Sequence, residues 1–290
     1  MVRSVQHDML PQSAHDDVAR QQFVVALKQG LSRTVRSTNK QLFEDVVAPD
    51  AASKIGKVPD DRDSIRTAMY AHPAYRSWST LHRSAQELMW TSVADVVARD
   101  SERLQSQAAK LTQPAKQRGS LELDSTVQAP RGVANLDIHL QTGGYMLDRN
   151  PDDVAAGVLY EVGGNLYAFG QGLGKHDSKA AHVQRFLAEK FPQLKPKRIL
   201  DMGCSAGSAS VPYAVEFPAA EVHAIDVAPG MLRYAHARAE SLGARVHFHQ
   251  RDAADTKFPD GYFDLIVSHN MMHEIPDSTR RGMLKETWRM

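Results

Sequence analysis

The stretch Lys197-Arg198-Ile199-Leu200-Asp201-Met202-Gly203-Cys204-Ser205-Ala206-Gly207 constrains this chain more than any other. A short apolar run ends in an acid, a turn follows with glycines two positions either side of Ser205, and small residues then lead into Val211, Pro212 and Tyr213. The order reads as strand, tight loop, helix. Glycine has no Cβ, so the backbone there turns sharply and lies close to a ligand, and the first turn of the following helix offers unpaired N–H groups. A nucleotide-type cofactor loop is the expectation.

The spacing narrows which cofactor. The dinucleotide pattern G-x-G-x-x-G is not met, because its second glycine falls on Ser205 and its third on Ser208. The pattern acid-x-Gly-x-x-x-Gly, carried by Asp201, Gly203 and Gly207, is met. In these residues the stretch resembles the first motif of the class I S-adenosylmethionine-dependent methyltransferases, with Ser205 departing from the family's usual middle glycine. The resemblance implies that Asp201 and the loop, Cys204 included, hold the amino-acid end of the cofactor.

The residues that follow extend the pattern. Glu221-Val222-His223-Ala224-Ile225-Asp226 is a second strand-like run ending in an acid, about 20 residues past the loop, where a carboxylate can accept both hydroxyls of a ribose. Ala228 to Leu242 has Met231, Ala235, Ala239 and Leu242 at helical spacing, Pro229 near its start and Gly243 just past its end. Val246 and Phe248 alternate with polar residues before Asp252-Ala253. The resemblance assigns Asp252 to the exocyclic amine of adenine, with Ala253 nearby. An ionised carboxylate suits an amine because it only accepts hydrogen bonds. The resemblance also implies cofactor contacts at Val227, Met231 and Asn270.

Phe258-Pro259-Asp260-Gly261-Tyr262-Phe263-Asp264-Leu265-Ile266-Val267-Ser268 reads as a turn and a buried strand and is similar to the family's fourth-strand motif. There the residues just past the strand, here His269 and Asn270, face the sulfonium and the substrate. A general base is needed only when the acceptor carries a proton that must leave. His273 in Asn270-Met271-Met272-His273-Glu274 is the first candidate, His269 the second, and Glu274 orients His273 or takes the role itself. No metal site is expected.

The family's sheet has about seven strands in the order 3-2-1-4-5-7-6. The resemblance accounts for four of them here, before the amphipathic run Thr279 to Met290, in which Met283, Leu284 and Trp288 are placed on one side. The missing fifth strand leaves the fourth as an edge. A chain cut short is favoured over a sheet completed by another chain or a degraded, inactive relative.

The 290 residues leave room for two domains and a sizeable core. A composition of 42% hydrophobic and 24% charged residues argues against wholesale disorder. A formal net charge of +1 gives no electrostatic footprint for nucleic acid or an anionic membrane. No apolar run approaches the roughly 20 residues that span a bilayer, and the residues from Met1 to Asp8 carry no apolar signal core. The single cysteine, Cys204, agrees with a reducing compartment and is expected to pack rather than react. A cytoplasmic protein is expected.

Ahead of the loop, Val18, Phe23, Val24, Leu27 and Leu31 suggest a helix from Asp16 to Leu31, and Leu42, Val46 and Val47 a shorter one. Asp63 or Ser64 is expected to cap the helix after Pro59. From Trp78 to Leu111 one helical stripe is sustained throughout. Core packing is the favoured use of this stripe, with a homodimer seam or a lid as alternatives. Leu121-Glu122-Leu123-Asp124 and Leu136-Asp137-Ile138-His139-Leu140 alternate as short strands, and Gly143-Gly144-Tyr145 turns. This element, with His139 and Tyr145, is placed beside the cofactor domain. A helix from Pro151 to about Leu159 is followed by Gly163 to Gly174, a glycine-hinged wall closing over the site with Tyr160, Tyr167 and Phe169. A helix then starts at Ser178.

The expectation is therefore an α/β protein: a doubly wound, Rossmann-like methyltransferase sheet, incomplete at its C-terminal side, preceded by a mainly helical domain. The boundaries fall at 1–118 for the helical domain, 119–176 for the small β element and connecting segment, and 177–290 for the cofactor domain. The resemblance implies methyl transfer from S-adenosylmethionine to a small organic acceptor of specialised metabolism. A non-catalytic S-adenosylmethionine-binding or interaction protein is the main alternative. An NAD-dependent oxidoreductase is the weaker one, opposed by Asp201, Ser205 and Asp252.

Overall fold

The computed structural model of the chain describes residues 6–135, 138–169 and 179–290. The chain divides into two compact units, one made of Met1–Ser13 with Val93–Met290 and the other of Ala14–Ser92. The second unit is helical: α1 (His15–Gly30), α2 (Arg36–Leu42), α3 (Ala48–Ile55), α4 (Arg62–Ala71) and most of α5 (Pro73–Arg99), with π-helical turns either side of α2. Asp61, not Asp63 or Ser64, caps α4, its side chain accepting from the backbone N–H groups of both. The capping position is the last extended residue before the helix, and Asp61 is that residue.

The first unit holds the sheet. Its elements are α6 (Ser101–Leu111), β1 (Ser120–Glu122), α7 (Arg131–Asn135), α8 (Ala155–Tyr167), α9 (Lys179–Lys190), β2 (Arg198–Met202), α10 (Ser210–Glu216), β3 (Glu221–Asp226), α11 (Pro229–Ser241), β4 (His247–Gln250), β5 (Leu265–Val267) and α12 (Asp277–Arg289). All strand pairs are parallel, in the order β1-β4-β3-β2-β5. The chain order reverses between β2 and β5, which opens a crevice at the carboxyl ends of the strands. The order of β4, β3, β2 and β5 matches the 3-2-1-4 expected from the resemblance, and β5 is an edge.

Several expectations are corrected. The helical stripe over 78–111 is two helices, broken at Asp100, whose carboxylate holds Arg103. Of the run 121–124, Leu121 and Glu122 join Ser120 in the main sheet as β1, and Leu123 and Asp124 lie past the strand, so the sheet has five strands rather than four. Ile138, His139 and Leu140 are turn and coil, with no partner strand, and Leu140 has a φ of 61°; Leu136 and Asp137 lie outside the described residues. Gly163 and Gly164 are not a hinge but part of α8, which packs along α11. Residues 170–178, which include the rest of the glycine-rich wall and the expected helix start at Ser178, lie outside the described residues. Of the three apolar residues expected on one side of α12, Met283 is buried, while Leu284 and Trp288 are exposed.

Contact between α8 and α11 depends on Gly157, where a Cβ would lie 2.3 Å from the Cβ of Tyr234. The same interface buries a charge. Glu161 accepts from Tyr234 Oη at 2.7 Å and Arg238 Nε at 2.8 Å, and its other oxygen meets His7 Nε2 at 3.0 Å. Burial alone would push this carboxyl up, but Arg238, His7 and Tyr234 outweigh it and hold it at about 2. Removing one member of such a network strands the others without water or partner. Glu161→Ala is expected to lower the unfolding free energy by about 3–5 kcal/mol in urea denaturation; a loss below about 1 kcal/mol would show that Arg238 finds other partners.

Candidate functional site

The loop after β2 is fixed by the end of β3. The backbone N–H groups of Gly203 and Cys204 both donate to Ile225 O at 2.9 Å, and Ser205 N donates to Asp226 Oδ2 at 2.9 Å. The loop so held has left-handed backbone at Gly203 (φ 74°), Ser205 (φ 48°) and Gly207 (φ 70°). Glycine adopts this conformation freely, whereas Ser205 carries strain of about 1 kcal/mol or more. Asn270, past β5, is also left-handed at 61°. Non-glycine residues in this region cluster where a site imposes them.

A cleft of about 760 Å³, part of it open to solvent, lies at these strand ends. Of the cofactor residues expected from the sequence, Gly203, Ser205, Asp226, Val227, Met231, Asp252, Ala253 and Asn270 line it. Asp201, Cys204 and Gly207 do not. Cys204 is buried, and burial pushes its thiol well above its ordinary range, which opposes thiolate chemistry. Among the candidate catalytic residues, His269 and Glu274 line the cleft, while His273 does not and is half-exposed. His269 Nε2 lies 3.1 Å from Tyr213 Oη, and burial followed by the nearby Lys179 charge lowers its pKa.

The cleft is electrically one-sided. Asp226, Asp252 and Glu274 line it against one guanidinium, Arg251. That guanidinium sits 4.2 Å over the Phe258 ring and donates to Thr256 O at 2.8 Å. Asp226 accepts from Ala228 N as well as Ser205 N, yet burial still raises its pKa. Behind it, Asp201 is almost fully buried; its Oδ2 accepts from Ser210 Oγ at 2.6 Å and its Oδ1 has no hydrogen-bond partner. Burial, and then the charge of Asp226 against the Ser210 hydrogen bond, place its pKa at about 6. A buried carboxylate oxygen without a donor fits a ligand that brings a cationic N–H.

A family model described as a methyltransferase domain matches residues 199–290, the segment that supplies these strands and loops. This segment is a class I S-adenosylmethionine-dependent methyltransferase domain. S-adenosylmethionine is the cofactor of such domains. The chain is 42% identical over 72 residues to demethylmenaquinone methyltransferase of Thermus thermophilus, covering 25% of this chain and 33% of that one. It is 31% identical over 91 residues to ajmaline N-methyltransferase of Rauvolfia serpentina, covering 31% of each. Among solved structures, magnesium protoporphyrin IX methyltransferase from Synechocystis is similar at 21% identity and a TM-score of 0.32, over 37% of this chain and 48% of that one. The chain thus spans about a third of the length of the curated relatives it matches.

Around the methyltransferase domain the cleft has walls that the motifs did not announce. Pro130 and Val133 flank or belong to α7, and Tyr145 and Met146 follow the Gly143-Gly144 turn. Tyr160 on α8 bonds the Ser205 side chain, and its phenol is pushed up by burial. The glycine turn and the aromatic residues near it were the available signal for Tyr145 and Tyr160; α7 had none. Met271 also lines the cleft, and its sulfur would lie 2.5 Å from a Cβ built on Gly203, so this glycine is required by packing as well as by φ.

The Asp201 carboxyl binds its proton more tightly in the folded chain than in the unfolded chain, where the value is near 3.8. The resulting cost is absent below pH 3.8, accumulates between about pH 4 and 6, and is complete above that. Asp201→Asn is therefore expected to stabilise the cofactor-free protein by about 1–3 kcal/mol at pH 7.5 and by little at pH 4, read by chemical denaturation at both pH values. Equal or lower stability at pH 7.5 would mean that the carboxylate is compensated.

Proposed function

We propose that the chain transfers the methyl group of S-adenosylmethionine to a small organic acceptor, in specialised metabolism. The observation that carries this reading is the acidic cleft at the reversal point of the sheet, which complements a cationic cofactor and would repel a pyrophosphate. Gly203 and Ser205 would seat the methionine end, with the Asp201 carboxyl buried behind the wall they form. Asp226 would accept from the ribose hydroxyls and Asp252 from the adenine amine, with Met231, Val227 and Ala253 packing the base. Asn270 and His269 would face the reacting centre. The names of the relatives, which act on demethylmenaquinone and on ajmaline, support small acceptors of differing chemistry.

The bound cofactor supplies an electrophilic methyl on a sulfonium, so the protein's task is mainly to hold the acceptor in line and exclude water. Tyr145 and Tyr160 would form the aromatic side of the acceptor's space. Where the acceptor loses a proton, His269 is the best-placed base, being neutral near pH 7 and on the cleft wall. His273, the first candidate by sequence, is directed to Glu274 at 3.0 Å instead.

Calorimetric titration separates the cofactors. S-adenosylmethionine is expected to bind and NAD not to, and Asp226→Ala is expected to weaken S-adenosylmethionine binding by about 1–3 kcal/mol, as for a buried polar partner removed. A labelled-methyl transfer screen over small hydroxyl and amine acceptors then tests turnover. Unchanged affinity in Asp226→Ala, or tight NAD binding, would sink the assignment.

A further inference from the structure

We propose that His139, His273 and Glu274 form a three-ligand site for a divalent transition-metal ion at the rim of the cleft, the ion's remaining positions taking an oxygen of the methyl acceptor, a hydroxyl or carboxylate. The acceptor's role rests on the methyltransferase reading; the ion site does not. His139 comes from the loop after α7, while His273 and Glu274 follow β5, so the three ligands meet only in the folded chain.

Their ligand atoms converge. His139 Nε2 lies 2.8 Å and His273 Nε2 3.0 Å from Glu274 Oε1, and the two nitrogens are 3.3 Å apart. Ligands held 2.0–2.2 Å from one ion are separated by about 2.9–3.4 Å, depending on geometry. The three edges fall close to that range. A point about 2.1 Å from all three atoms lies about 1 Å out of their plane.

Hydrogen bonding alone explains the triangle poorly. Glu274 Oε1 also receives Tyr145 Oη at 3.3 Å, so three donors would crowd one oxygen. The two nitrogens approach that oxygen only about 70° apart, well inside the spread of its lone pairs. With an ion present, each imidazole instead presents the Nε2 lone pair, and Oε1 keeps one hydrogen bond, from Tyr145. Such a partner behind a metal-binding carboxylate sets its orientation. Two imidazoles and one carboxylate suit Zn²⁺, Fe²⁺, Co²⁺ or Ni²⁺ over Mg²⁺, and three protein ligands leave positions open. The site is reachable: the side chains of His139, His273 and Glu274 are 24%, 49% and 19% exposed. It is also the one cluster of three or more His, Cys, Asp or Glu ligand atoms of this kind among the described residues.

The test is a titration of the full metal-free chain with Zn²⁺ against a chromophoric chelator, without S-adenosylmethionine. One ion per chain is expected at micromolar concentration or below, with His139→Ala, His273→Ala and the near-isosteric Glu274→Gln each weakening it by about 100-fold, and Tyr145→Phe by about 10-fold. Co²⁺ is expected to give a visible absorption band in the wild type that His273→Ala lacks. Circular dichroism and melting without metal check that each variant is folded, and Glu274→Gln serves if an alanine variant is not. No stoichiometric binding, or binding equal in wild type and variants through other histidines, would overturn the proposal. Zn²⁺ binding without S-adenosylmethionine binding would overturn the methyltransferase reading while leaving the ion site standing.

Discussion

The end of β3 holds the loop after β2 through three hydrogen bonds, two to Ile225 O and one to the Asp226 carboxylate. Everything at the strand ends follows from this tie. The loop it holds has left-handed backbone at Gly203, Ser205 and Gly207, and the half-satisfied Asp201 carboxylate lies buried behind the cleft. Parallel pairing of β2 with β3 over Arg198–Met202 and Glu221–Ile225 brings the loop and the acid into register. A one-residue slip would turn Asp226 to the other face of the sheet.

The cleft is electrostatically costly without a ligand. Burial raises the proton affinity of both Asp201 and Asp226, the charge of Asp226 raises that of Asp201 further, and the Arg251 guanidinium on the cleft wall is engaged by Thr256 O. A site that stores unfavourable charge in the empty state gains most from a cationic ligand. Stability for that arrangement comes from other parts of the same unit, notably the Glu161 network between α8 and α11 and the apolar faces under the sheet.

What could be read from the chain followed physical locality. Asp201, Asp226 and Asp252 each end or follow an apolar run, so their places at strand tips were legible, as were the turn at Gly243 and the helix beginning at Pro229. Alternation at 136–140 looked like a strand because period-two patterning does not reveal whether a partner strand exists. Gly163 and Gly164 looked like a hinge because propensity says nothing of the packing of α8 along α11, and the helix runs through both. His139 was noticed but could not be joined to His273 and Glu274, since more than a hundred residues intervene and only the tertiary fold closes that distance. That Asp201 lies behind the cleft rather than on its wall was likewise a matter of depth, which a strand-end position leaves open.

We propose that carboxylates from successive strand ends grip one adenosine. A crystal structure of the full chain with the demethylated cofactor product tests it most directly. Asp226 is expected within hydrogen-bond distance of both ribose hydroxyls and Asp252 at the adenine amine. Adenosine bound elsewhere, or Asp226 turned away from the ribose, would contradict it.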